Sequence, residues 1–97
     1  MYTATMLYPV KSEFMEDFVG LWEDKILNLA ITREGFVRMQ LLTGEDEALA
    51  IGTWKDKTFA EQFMALGPFK DLMAAVGEYL RGNPAPTVWN LAAYASS

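Results

Sequence analysis

The apolar positions of this 97-residue chain change their period several times. Tyr2 to Tyr8 (YTATMLY) is dense in β-formers and stops at Pro9, which predicts a first strand. Phe14, Phe18, Leu21, Trp22, Lys25, Ile26 and Leu29 then recur at spacings of three and four. That stripe predicts a helix from a Ser12 cap to about Ala30, with Glu13, Glu16 and Asp17 near its positive N-terminal end. After the turn Thr32–Gly35, Phe36 to Leu42 and Ala48 to Trp54 are apolar-rich segments flanking the polar Thr43–Glu47, which predicts a β-hairpin. Gly44 is expected to take a positive φ there, and Asp46 to cap its own backbone. Strict alternation puts Val37, Met39, Leu41, Leu49, Ile51 and Thr53 on one face. It puts Phe36, Arg38, Gln40, Leu42, Ala48, Ala50, Gly52 and Trp54 on the other. Neither is a water face, so the hairpin is expected to be covered twice.

Thr58-Phe59-Ala60-Glu61 has the pattern of a capping box and opens a short helix to Leu66. Gly67-Pro68 breaks and restarts it, and Pro68 to Arg81 carries Phe69, Leu72, Met73, Val76 and Leu80 on one side, with Gly82 as C-cap. Asn83–Pro86 is a stiff loop, and Thr87 to Tyr94 (TVWNLAAY) a fourth strand. The order β-α-β-β-α-β is the ferredoxin-like α+β arrangement: a four-stranded antiparallel sheet with both helices on one face. The uncovered apolar face calls for a second copy, a C2 homodimer through the sheet face burying roughly 800 Å² per partner.

Length and composition narrow the function. Ninety-seven residues suit a single domain, and 52% hydrophobic residues are more than a chain this small hides easily by itself. A net charge of −5 with scattered basic residues argues against nucleic acid or an anionic membrane as partner. The chain has no cysteine and no histidine, hence no disulfide, no thiolate nucleophile, and neither the commonest metal ligand nor the commonest general base. It shows no leader and no apolar run near the ~20 residues that span a bilayer, and is expected to be cytoplasmic.

Particular residues suggest a relationship. Glu34-Gly35-Phe36, the acidic turn Gly44-Glu45-Asp46-Glu47, Gly52-Thr53-Trp54-Lys55-Asp56, Phe59 and Phe63, then Gly67-Pro68-Phe69-Lys70-Asp71-Leu72 together resemble the antibiotic-biosynthesis-monooxygenase-like family of dimeric α/β barrels. The resemblance spans Tyr2 to about Tyr94. It implies a small pocket between sheet and helices in each subunit, used in some members for cofactor-free oxygenation of quinols or polyketide aromatics and in others for haem degradation. Thr5 stands where the haem-degrading branch has an asparagine, Trp54 matches the strand-end tryptophan, and the branch's histidine has no counterpart. Ala50 and Ala60 stand where the polyketide branch has polar residues.

The candidate site follows. Trp54 offers a flat, electron-rich wall with an N–H donor, or is a core aromatic. Arg38 and Gln40, read as sharing its face, could hold an anion formed in turnover or reach solvent at the strand edge. Thr5 and Asn90 can orient a ligand carbonyl or serve local backbone groups. Trp22 and Phe63 build pocket wall or plain core, and Tyr8 and Tyr94 can donate to a substrate oxygen or fill a subunit interface. The paired carboxylates read as solvated faces, giving no metal site. With no ordinary base, the expected activity is monooxygenation of a small aromatic without a cofactor, the substrate itself supplying the electrons. The alternative is a non-catalytic dimeric module that binds a small hydrophobic molecule.

Overall fold

The structure, a computed structural model, describes residues 1–97. Four strands, β1 (Tyr2–Tyr8), β2 (Phe36–Thr43), β3 (Ala48–Trp54) and β4 (Ala85–Asn90), form one antiparallel sheet in the order β2-β3-β1-β4. The helices α1 (Met15–Trp22), α2 (Asn28–Ala30), α3 (Lys57–Met64) and α4 (Gly67–Ala75) complete the expected ferredoxin-like α+β fold. Tyr8, Ala48, Ala50 and Trp54 are buried beneath the helices with Phe18, Trp22, Phe63 and Leu72.

The first helical stretch is not uniform. A 3-10 turn, Ser12–Phe14, precedes α1, and a π-turn, Glu23–Leu27, joins α1 to α2. The buried residues of this stretch are Phe18, Trp22, Ile26 and Ala30, a strict repeat of four. In a helix of 3.6 residues per turn such a repeat advances by about 40° at each step and leaves the core side within three steps. A wider turn lags instead and restores the phase, which explains a π-turn at this place. The expected plain helix is therefore replaced by one with a built-in correction.

Several local expectations are corrected. Ser12 makes no side-chain cap, because the stretch begins as a 3-10 turn after Lys11. At α3 the cap is Asp56, whose carboxylate accepts the Thr58 N–H at 2.9 Å, while Glu61 pairs with Lys57 at 3.5 Å. Helix α3 ends at Met64, and the last helical stretch ends in a 3-10 turn at Tyr79, short of the expected Arg81–Gly82 cap. The positive φ lies at Gly35, +81°, and not at Gly44. Asp46 is tied down by other elements: its carbonyl accepts from Val10 N–H at 3.1 Å and from the Arg81 guanidinium at 2.9 Å.

The fourth strand starts two residues earlier than expected and ends four earlier. Pro86 is tolerated because β4 is an edge strand with only β1 as neighbour. Asn90 is opposite Tyr2, and the Leu91 N–H reaches only Met1 O at 3.3 Å, so β1 offers nothing for later residues to pair with. No helix of the chain is long and apolar enough to cross a membrane.

Candidate functional site

Register decides which side chains meet. Along β3, Ala48, Ala50, Gly52 and Trp54 point toward the helices, as do Ala4, Met6 and Tyr8 opposite them on β1. On β2 the pairing shifts between Phe36 and Arg38: Phe36 is opposite Trp54 and Arg38 already opposite Thr53. This bulge at Val37 puts Met39 opposite Gly52 and Leu41 opposite Ala50, on the helix side. Arg38 and Gln40 therefore fall on the open face with Thr53 and Ile51, not on Trp54's face as strict alternation implied. The Arg38 guanidinium lies 4.6 Å from the centroid of the Tyr94 ring, contributed by the C-terminal tail.

Between sheet and helices lies an apolar cavity of about 170 Å³. Trp54, at the end of β3, forms one part of its wall, 2% exposed, with Phe63 of α3 tilted against it at 5.1 Å and Phe36 edge-on at 5.8 Å. Trp22 of α1 and Tyr8 of β1 form another, and Tyr8 packs on Phe18 at 4.9 Å. The space exists because Ala4, Ala50, Gly52 and Ala60 are small where the surrounding aromatics are large. A Cβ on Gly52 would come within 3.0 Å of the Met39 methyl. Pro86 and Val88 of β4 line the remaining side, and Val88 is 59% exposed, so the cavity opens along that edge. Behind Trp22 and Met39, which border both, a groove of about 440 Å³ runs between α1 and β2.

Of the expected site residues, the structure brings Trp54, Trp22 and Phe63 together around the cavity. Thr5 also borders it, but its hydroxyl is engaged elsewhere, accepting from Trp89 Nε1 at 2.9 Å and donating to Thr87 O at 3.5 Å. Asn90 is exposed at the end of β4 and does not line it, nor do Arg38 and Gln40. Tyr8 stands out instead. It is 1% exposed, and burial pushes its pKa up to about 12, an effect partly offset by the nearby indole N–H of Trp22. The signal for it in the sequence was its even number, shared with Ala4 and Met6 on β1. No charged side chain lines the cavity, so its chemistry is that of apolar contact plus the polar groups of Thr5, Tyr8, Trp22, Trp54 and Thr87.

The sequence matches no protein-family model. No curated protein matches it either. Solved structures do match in shape. A crystal structure of an antibiotic biosynthesis monooxygenase superposes with a TM-score of 0.82 at 12% identity, over 96% of this chain and 100% of that one. A protein from Mycobacterium tuberculosis gives 0.84 at 15% identity, over 98% of each chain. SnoaB from Streptomyces nogalater, described as a cofactor-independent oxygenase, gives 0.81 at 16% identity, over 96% of this chain and 94% of its own. The fold is that of the antibiotic-biosynthesis-monooxygenase-like proteins. At these identities the likeness fixes the arrangement of sheet and helices; within that shared frame this chain lines its cavity with Trp54, Trp22, Phe63 and Tyr8.

Proposed function

We propose that the cavity between sheet and helices holds a small neutral aromatic, and that the chain acts on a phenol- or quinol-type ring as a cofactor-independent monooxygenase. The observation that carries this reading is the cavity itself, an apolar space walled by Trp54, Trp22 and Phe63 and open along the β4 edge. A dry cavity of about 150 Å³ takes one benzene ring. A space of about 170 Å³ thus suits a one-ring ligand, with any longer substituent running out past Val88. The chemistry asks little of the protein: the ring supplies the electrons taken up by O₂, one oxygen enters a ring C–H, and the other leaves as water. A phenol is left as a quinone. Flat walls orient the ring and limit its contact with bulk water to the open β4 edge. The likeness in fold to SnoaB supports this choice of reaction.

A second reading, a binding module without catalysis, is favoured by one observation: no charged side chain borders the cavity to stabilise an ionised substrate, since Arg38 is on the opposite face. In both readings the open face, with Leu7, Leu42 and Trp89 exposed, packs against a second copy. Quenching of Trp22 and Trp54 fluorescence by methylhydroquinone, followed by oxygen-electrode measurement, separates the cases. Saturable quenching with protein-dependent oxygen uptake supports the enzyme. Quenching without uptake supports the binding module, and an absence of quenching removes both.

A further inference from the structure

The cavity is almost wholly apolar, yet Tyr8, a phenol, is among the residues that line it. Tyr8 ends β1 on the helix side, opposite Ala48, whose small side chain leaves room for the ring. None of the side-chain hydrogen bonds of the chain involves its hydroxyl. The phenol's own proton is therefore free to be given to a ligand. The hydroxyls of Thr5 and Thr87 do not compete: Thr5 is tied to Trp89 and to Thr87 O, and Thr87 is opposite Thr5 on the open face.

We propose that the Tyr8 hydroxyl is the specificity-determining donor of this cavity, selecting ring compounds that carry one neutral oxygen acceptor such as a carbonyl or ether. This rests on the cavity being the ligand site. An anionic acceptor would be stripped of water with no cation in the wall to receive it, which is costly. A neutral carbonyl loses much less, and regains a hydrogen bond in a low-dielectric site where an unpaired polar group is costly. The ring of a ligand meets the apolar wall, and its oxygen meets Tyr8. Burial keeps the phenol protonated through the neutral range, so the donor is constant there.

Two nearly isosteric probes test the assignment: acetophenone, which has a carbonyl acceptor, and ethylbenzene, which has none. Affinities are measured by tryptophan quenching for the native chain and for Tyr8→Phe, which keeps the ring against Phe18. Tyr8→Phe is expected to weaken acetophenone about five-fold and to leave ethylbenzene unchanged, the loss of one hydrogen bond. An equal change for both probes overturns the role of Tyr8 while leaving the cavity as a ligand site. Failure of both probes to bind the native chain overturns the cavity reading as well. Independently of any variant, the carbonyl stretching band of acetophenone bound to the native chain should lie below its position in hexane. An unshifted band overturns the proposal even if Tyr8→Phe does not fold.

Discussion

Gly35 holds a φ of +81° directly beneath Phe59, whose side chain fills the place a β-carbon on residue 35 would take. The two residues lock the turn before β2 onto the start of α3, and the Lys55 N–H donates to Gly35 O at 2.8 Å to close the corner. Gly35→Ala is therefore expected to suffer twice, from the left-handed backbone and from overlap with Phe59, losing about 3 kcal/mol or more. Adding Phe59→Ala should relieve the overlap and leave the backbone strain. Chemical denaturation of the two variants checks this; a Gly35→Ala chain as stable as the parent would contradict the geometry.

Tyr8 predicts how the fold responds to alkali. Its pKa is raised to about 12 in the fold and is near 10 in an unfolded chain, so above pH 10 the unfolded state releases a proton that the folded state keeps. The associated stability is complete below pH 10 and is lost as pH rises through 12, on the order of 2–3 kcal/mol. Tyr8→Phe should flatten this part of the curve in denaturation series at pH 9 to 12. An equally steep alkaline limb in the variant would place its cause elsewhere.

Arg38 supplies a contrast. Because the Val37 bulge turns it to the open face, where it meets the Tyr94 ring at 4.6 Å, Arg38→Ala should not alter the affinity of an aromatic ligand. The loss of a partly exposed cation–π contact costs about 0.5–1 kcal/mol, a small shift in melting temperature. A ten-fold loss of ligand affinity would mean that the residue reaches the cavity after all.

Ile51 occupies the middle of the open face, between Thr5 on β1 and Gln40 on β2. If two copies pack there, Ile51→Glu puts a carboxylate into an apolar interface and should give monomers or aggregates by light scattering. A soluble dimer indistinguishable from the parent would move the interface to another surface.

The order of strands and helices could be read from the chain because each element carries its own period and its own punctuation: Pro9, Gly35, the acidic turn and Gly67-Pro68. The phase of β2 could not. A bulge adds one residue without requiring a particular side chain, and Val37 fits an ordinary strand as well as a bulged one. From that single slip follow the misplacement of Arg38 and Gln40 and the unexpected placement of Met39 and Leu41. Trp54, Trp22 and Phe63 were readable because each lies on a strongly apolar face. Asn90 and Thr5 were not, since strand residues of mixed polarity announce neither which face they take nor which neighbour satisfies them. For Thr5 the neighbour is Trp89, a residue 84 positions away.

The side wall formed by β4 has a kinetic consequence. That strand pairs with β1 alone, is exposed along all six residues, and contains a proline that can donate nothing to the ladder. A molecule passing in or out of the cavity need only loosen this weakly held ribbon, while the helices stay seated on β3. Residence time would then be set by how often an edge strand frays, and amide exchange along Ala85–Asn90 would report it before any ligand is known.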